Sequence, residues 1–354
     1  MKKNNKIDQL LNQLGAWLQG TGQDSDVVVS SRVRLARNLK GLPFYHWADD
    51  KRRKEVYEIV KEALLDIPEL KNGIWVDISE LPDVDKYFLL ERHLVSRELV
   101  EKGHYKACII SEQEIVSIMV NEEDHIRLQV LQSGLSLLSA IDIARRIDNQ
   151  LASRLNYAFS YDWGYLTACP TNTGTGLRAS VMLHLPLLVF TKQIANVVNT
   201  IAKLSFTTRG FYGEGTEASG NFFQISNQVT LGRSEEEIVE NLLKVVDQVI
   251  SYERQAREKV YAQDRNTIED QVYRSYGMLK YARIMNSKEA IELLSNLRLG
   301  RELGIIDIDI KRINELLLII QPAHLQKMEG KKLTTRERDI KRADLIRERL
   351  GQEV

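Results

Sequence analysis

The chain has 354 residues with 49 basic and 49 acidic side chains, so it has no global field that would hold it to nucleic acid or an anionic membrane. At 43% hydrophobic and 28% charged it has the composition of a folded protein, with about two domains on length. No apolar run approaches the roughly 18 residues that span a bilayer, and the first eight residues lack the apolar core of a secretory signal, so a cytoplasmic address is expected.

In chain order, an N-terminal segment (1–22) carries Ile7, Leu10, Leu11, Leu14 and Leu18 at helical spacing. From Val27 a β-branched run leads into Ser30-Ser-Arg-Val-Arg34. Arg32 and Arg34, two apart, share a face of an extended chain, an expensive arrangement unless an anion sits there. A charged amphipathic helix is predicted over Asp50–Leu65 and a second from about Pro82 to Glu101, carrying His93. Two strand-length segments, Ala107–Ile110 and Glu114–Val120, then run into an acidic knot, Asn121-Glu-Glu-Asp-His-Ile-Arg127. Three adjacent carboxylates repel one another; the knot is either a solvated turn or a site that holds a cation or takes a proton. A third helical stretch is predicted over Gln129–Leu151.

Tyr165–Cys169 reads as a strand feeding the loop Pro170-Thr-Asn-Thr-Gly-Thr-Gly176, which is either a plain turn or a loop drawn close to a ligand. It lacks the Gly-Lys-Ser/Thr of a Walker loop and is no dinucleotide fingerprint. Leu204–Gly220 is glycine-dense and reads as a flap between two strands, and a long helix from Ser234 to Val260 closes the first domain. After about residue 262 only helical periods appear, which predicts a helical bundle. Its last helix, Thr335–Leu350, has Ile340, Ala343, Ile346 and Leu350 as an inner face. Arg338 and Arg342 are neighbours one turn apart beside Asp339, either on a solvated charged face or at a binding site. Of the two cysteines, Cys108 lies in an apolar strand and Cys169 opens the threonine–glycine loop; they form neither a disulfide framework nor a metal motif.

Arg32, Arg34, Arg127, Arg178 and Arg209 each lie beside an expected strand end or a glycine-bearing loop. A converging set of guanidinia suits a polyphosphate, whose oxygens they bind bidentately. Glu123 and Glu214 in such a site suit a cationic acceptor. A guanidinium titrates only above roughly pH 12, so it needs a base before it can attack phosphorus.

In order and spacing, Ser31-Arg-Val-Arg, Asn121-Glu-Glu-Asp-His-Ile-Arg, Cys169-Pro-Thr-Asn-Thr-Gly-Thr-Gly-Leu-Arg-Ala-Ser and Arg209-Gly-Phe-Tyr-Gly-Glu resemble the signatures of ATP:guanido phosphotransferases (phosphagen kinases) over about residues 23–255. The resemblance implies an α+β fold, an antiparallel sheet flanked by helices, here followed by the helical C-terminal region 262–354. It implies Glu123 and Glu214 as guanidinium-orienting carboxylates, with Cys169 beside them as a thiolate. ATP would be held by Ser30, Ser31, Arg32, Val33, Arg34, His93 and Arg127, by the backbone of the segment Arg178, Ala179, Ser180, Val181 and Met182, and by Arg209, Gly210, Phe211, Tyr212, Gly213 and Glu214. Magnesium would come with the ATP phosphates, not on a protein site.

The chain departs from the small-substrate members in three places. Only 29 residues precede Ser30, where they carry a helical domain; Met182 stands where a histidine is usual; and the helical tail is foreign to them. These departures resemble the bacterial branch that phosphorylates arginine within proteins. The tail's Arg338-Asp-Ile-Lys-Arg342-Ala is similar to that branch's phosphoarginine-binding element, which implies an allosteric site at Arg338, Asp339 and Arg342. The same resemblance implies protein substrates presenting arginine, marking for Clp proteolysis with ClpC as partner, inactivation of the heat-shock repressor CtsR, an activator McsA, and a homo-oligomer. A phosphagen kinase for a small guanidine, and an inactive phosphoarginine-binding adaptor, are the competing expectations.

Overall fold

The computed structural model describes residues 6–210 and 219–351. The strands are β1 (Val28–Arg37), β2 (Ile74–Asp77), β3 (Ala107–Ile110), β4 (Val116–Val120), β5 (Ile126–Ser133), the hairpin pair β6 (Phe159–Ser160) and β7 (Gly164–Tyr165), β8 (Leu177–His184), β9 (Phe206–Gly210) and β10 (Phe222–Asn227). All but the hairpin pair form one antiparallel sheet in the order β2-β3-β4-β5-β1-β8-β10-β9. Helices α1 (Asp50–Leu65), α2 (Asp83–Glu91), α3 (Arg97–Val100), α4 (Leu137–Ala152), α5 (Pro186–Phe190), α6 (Ile194–Lys203) and α7 (Glu235–Gln263) flank it. The tail adds α8 (Arg265–Tyr281), α9 (Ser287–Glu302), α10 (Ile310–Ile319), α11 (Pro322–Glu329) and α12 (Thr335–Gly351).

Strand register sorts the side chains. Val33, Leu35, Leu128, Val130, Leu177, Ala179, Val181 and Ile225 fall on one face and pack with Val56 and Val60 of α1, Ile141 and Ala144 of α4, and Leu242 and Val246 of α7. Helix starts follow local chemistry: Asp49 accepts from the Arg52 N–H ahead of α1, and Ser234 with Glu237 forms a capping box on α7. The opposite face of the sheet divides along its length. At one end Leu131, Met182 and Phe222 pack with Trp17, Leu18 and the tail helices. His184 meets Ser295 of α9 at 2.8 Å there. Gly220, at φ 66°, lets Ile291 of α9 come so close that a Cβ would lie 2.5 Å from its Cγ2. The other end of this face stays open.

Five local expectations are corrected. Residues 6–22 form 3₁₀ turns (Lys6–Asn12 and Ala16–Leu18), not a helix. The stretch expected to run as one helix from Pro82 to Glu101 breaks after Glu91. His93 takes φ 59° and Ser96 caps a separate short α3, because Arg92 turns inward to pair with Glu114. Gln129–Ser133 belongs to β5, and Gly134 at φ 63° turns the chain before α4 begins at Leu137. Of the expected Tyr165–Cys169 strand only Tyr165 is paired, in β7 with Gly164. On the last helix Ala343, Ile346 and Leu350 are buried as expected, whereas Ile340 is exposed.

The Arg92–Glu114 pair is 1% exposed on both sides and ties α2 to the β3–β4 turn, while Arg92 Nη2 also donates to the Gln13 carbonyl at 2.7 Å. Removing one member leaves the other charge buried. Glu114→Ala is expected to destabilise the fold by about 3–5 kcal/mol, measured by urea unfolding; a loss under about 1 kcal/mol, the scale of an exposed pair, would contradict this.

Candidate active site

The open end of the sheet face is the floor of a cleft of about 820 Å³. Arg32 lies opposite Ser180 and Arg34 opposite Arg178 in β8; Arg34 also lies opposite Gln129 in β5; Ala36 faces Arg127, and Gln224 faces Arg209. Directly paired residues share a face, so all five predicted arginines converge from four strands. Arg127, Arg178 and Arg209 lie one residue from a strand end, as expected, while Arg32 and Arg34 sit mid-strand in β1, and all five line the cleft. Arg32 and Arg34 form no ion pair among the described residues, and Arg34 Nε is buried without a hydrogen-bond partner there. Burial, and then the charges of Arg127, Arg178 and Arg209, push Arg32 down to about 9. Burial, with Arg127, Arg32 and Arg178, drives Arg34 well below the usual guanidinium range. A site whose cations destabilise one another in this way is electrostatically incomplete without an anion.

The acidic knot is the β4–β5 turn, and four of its five members hold it in shape. Asn121, at φ 57°, donates through Nδ2 to the carbonyls of Arg53 and Tyr105, both at 2.9 Å. Asp124 Oδ1 accepts from Asn38 Nδ2 at 2.6 Å and from the Ala168 N–H at 2.7 Å, fastening the turn to the segment before Cys169. His125 accepts the Leu39 N–H on Nδ1 and donates from Nε2 to the Pro43 carbonyl, a neutral tautomer that its burial favours. Glu122 pairs with Arg127 and accepts from Ser96. Burial alone would raise its carboxyl, but the Arg127 charge holds it down at about 2. Glu123 is left. Its carboxylate lines the cleft, takes no hydrogen bond from the described residues, and is shifted upward by burial and by the neighbouring Glu122 charge. That is the condition of an available base.

Cys169 lines the same cleft, partly exposed, with Sγ 3.1 Å from Thr171 Oγ1. Cys108 is fully buried in β3, its thiol raised by desolvation. His93 lies at the cleft wall edge-on to Trp17, with ring centroids 5.3 Å apart; burial and Arg32 push it down to about 3, so it is neutral. Ser30, Ser180 and Met182 line a small recess under Arg32 together with His93 and Gln224. Ser31, Val33, Ala179 and Val181 are carried to the opposite face of the sheet; Ser31 Oγ donates to the Gly134 carbonyl and accepts the Ser136 N–H. Gly210 ends β9, while Phe211, Tyr212, Gly213 and Glu214 lie outside the described residues.

Some of the site is invisible to motif reading. Glu122, which fixes Arg127, and the polar floor residues Gln129 and Gln224 were not singled out; the period-2 alternation of β5 and β10 was the signal available. Tyr87, Glu91 and Glu98 form one wall, joined by Ser287, Gln321 and Pro322 from the tail, a contribution no local pattern announces. Glu91 caps α11, accepting from the N–H groups of Ala323 at 2.8 Å and His324 at 2.9 Å. Burial raises Glu91 to about 7, against those bonds and the charges of Arg342 and Arg338. The tail residues Arg338, Asp339 and Arg342 stand outside the cleft. Arg342 is buried, donating to the carbonyls of Ile320 and Met285, each at 2.9 Å, and to Asp339; Arg338 reaches Thr335 Oγ1 at 3.2 Å. The two guanidinia therefore take different partners here.

The sheet with its arginine floor is that of a guanido phosphotransferase: residues 55–256 match the ATP:guanido phosphotransferase C-terminal catalytic domain. Among solved structures the chain is similar to the duplicated taurocyamine kinase of Schistosoma mansoni (26% identity, TM-score 0.60, 70% of this chain and 35% of that one) and to a lombricine kinase (25%, TM-score 0.59, 70% and 76%). Residues 265–353 match the protein-arginine kinase McsB C-terminal domain. Relatives called protein-arginine kinase include those of Pelotomaculum thermopropionicum, 49% identical over 94% of both chains, and of a Geobacillus species, 46% identical over 96% of this chain and 95% of that one. The chain belongs to the protein-arginine kinase family.

The Glu122–Arg127 pair predicts a pH dependence. Because the folded carboxyl is lowered from 4.5 to about 2, its stabilisation is complete above the unfolded value and is lost as pH falls through that window. Urea midpoints measured from pH 5 to pH 2 should fall more steeply for the native chain than for Glu122→Gln; parallel curves would contradict the assignment.

Proposed function

We propose that this chain is an ATP-dependent protein arginine kinase. The observation that carries the reading is the pairing, in one cleft, of an arginine floor suited to polyphosphate with Glu123, a half-buried carboxylate that takes no hydrogen bond from the described residues. Polyphosphate oxygens of ATP, with magnesium on them, would lie on Arg32, Arg34, Arg127, Arg178 and Arg209, which position the nucleotide and spread the charge of the transferring group. A substrate guanidinium would enter against Glu123, with Glu214 as its second carboxylate and Cys169 alongside. Glu123 takes a proton from the guanidinium nitrogen, that nitrogen bonds to the γ-phosphorus, and the bond from γ-phosphorus to the bridging oxygen breaks to release ADP.

In this reading residues 23–255 form the catalytic unit, 1–22 a lead-in segment, and 262–354 a regulatory unit with a phosphoarginine-binding element at Arg338, Asp339 and Arg342. The reach of both arginine charges to Glu91 on the cleft wall supports a link between that element and the site. The wider role is that of a cytoplasmic, homo-oligomeric stress-response and quality-control kinase. Its products would be delivered to ClpC and the Clp protease, its targets would include CtsR, and McsA would activate it. The names of its relatives and the match of its tail support the protein-arginine kinase activity on which this role would rest.

The test is incubation with casein and magnesium ATP. Acid-labile, base-stable phosphate on arginine is expected. Phosphate found only on free arginine or creatine would instead make the chain a small-guanidine kinase, and phosphoarginine binding without any transfer would make it an adaptor. Glu123→Gln should lower turnover on casein by at least ~10²-fold with ATP affinity unchanged, read by initial rates and calorimetry. Near-native turnover would show that Glu123 is not the base.

A further inference from the structure

Between α4 and the threonine–glycine loop the chain projects a hairpin, β6–β7, that the transfer chemistry does not use. Its base is rigid. Tyr157 OH donates to Asp148 Oδ1 at 3.1 Å, and the buried Arg37, paired to Asp148 at 2.7 Å, lies 3.6 Å from the centre of the Tyr165 ring. Gly164, at φ 71°, allows β7 to lie so close to Gly174 that a Cβ would stand 2.4 Å from its carbonyl oxygen. The tip is the opposite in character. Phe159 is 51% exposed, Tyr161 101% and Trp163 57%, with Phe159 edge-on to Tyr161 and to Tyr165 at 5.9 and 5.2 Å. Three large rings held out on a seven-residue hairpin contribute little to the core, and such aromatic groupings with a fixed base are what protein-binding surfaces use.

The hairpin's position identifies its occupant. The Ala158 N–H donates to the Asn38 carbonyl at 2.7 Å, and Asn38 Nδ2 donates both to the Leu166 carbonyl and to Asp124 of the knot. Three residues beyond Leu166 the chain reaches Cys169 at the cleft. The hairpin and Glu123 are therefore mounted on the same set of hydrogen bonds, at the acceptor end of the cleft. We propose that Phe159, Tyr161 and Trp163 form a docking surface for the polypeptide around the target arginine, gripping flanking apolar side chains while the guanidinium reaches Glu123. This rests on the protein-kinase reading. A side chain entering from another protein must bring its backbone across the rim, whereas a small guanidine would have no use for aromatic rings there.

The test compares Tyr161→Ala/Trp163→Ala with the native chain on casein and on the tripeptide Gly-Arg-Gly, with Tyr161→Phe/Trp163→Phe as the conservative control. The expected result is a KM for casein raised about tenfold or more, the scale of losing a strong aromatic contact. Turnover at saturation, the KM for ATP and kcat/KM on the tripeptide should all be unchanged, and the phenylalanine pair should restore most of the casein KM. An unchanged casein KM would overturn the proposal. So would an equal loss on both substrates, which would make the hairpin a support of the site. A fall in oligomer size by light scattering would make the rings a contact between copies of this chain and would overturn it too. A native chain that transfers no phosphate to casein would overturn the protein-kinase reading, and with it this inference.

Discussion

Everything in the site depends on one constraint, the mutual repulsion of arginines fixed on one face of a sheet. Alternation along β1 puts Arg32 and Arg34 side by side, and antiparallel register brings Arg127, Arg178 and Arg209 from the neighbouring strands to the same face. The opposite face is mostly apolar and carries the core, so the strands cannot slip by one residue without burying these charges in it. The packing that stabilises the fold thereby holds the cations together. Among the described residues Glu122 gives Arg127 a buried carboxylate, whereas Arg32 and Arg34 are held below the usual guanidinium range by burial and by the charges of their neighbouring arginines.

The acidic knot follows a similar division of labour. A run of Asn, Glu, Glu, Asp and His looks like a cluster of catalytic groups, yet four of the five are consumed in holding the β4–β5 turn against Asn38, Arg53, Tyr105 and Arg127. The density of polar residues is the cost of building a rigid turn that leaves one carboxylate unsatisfied. Rigid placement of a single base is more useful for proton transfer than several mobile ones.

Much of this was legible in the sequence where local chemistry decides the outcome. The helices α1, α7 and α12 follow from periodicity and caps, and the arginine pair of β1 follows from its spacing of two. Legibility failed where distant partners override local preference. The helical pattern over 82–101 is broken by a buried Arg92 that pairs with Glu114, 22 residues away. Gln129–Ser133 read as helix because β5 is buried on both faces, under the core helices on one side and beside the arginine floor on the other. The tail's place on the cleft wall rests on pairings such as Glu91 with the N-terminus of α11, more than 200 residues apart, which no local window contains. Motif resemblance singled out Glu123 and Cys169, which line the cleft; only the register separated side chains that face the cleft from those of Ser31, Val33, Ala179 and Val181, which do not.

The most direct test of the central claim replaces one of the crowded cations with an apolar side chain of similar length. If the arginine floor is held at the expense of stability for the sake of an anion, Arg34→Met should raise the thermal midpoint of the unliganded protein, and the rise in midpoint that magnesium ATP gives the native chain should largely vanish. An Arg34→Met protein that is less stable without ligand and still shows the full ATP-induced shift would contradict the account.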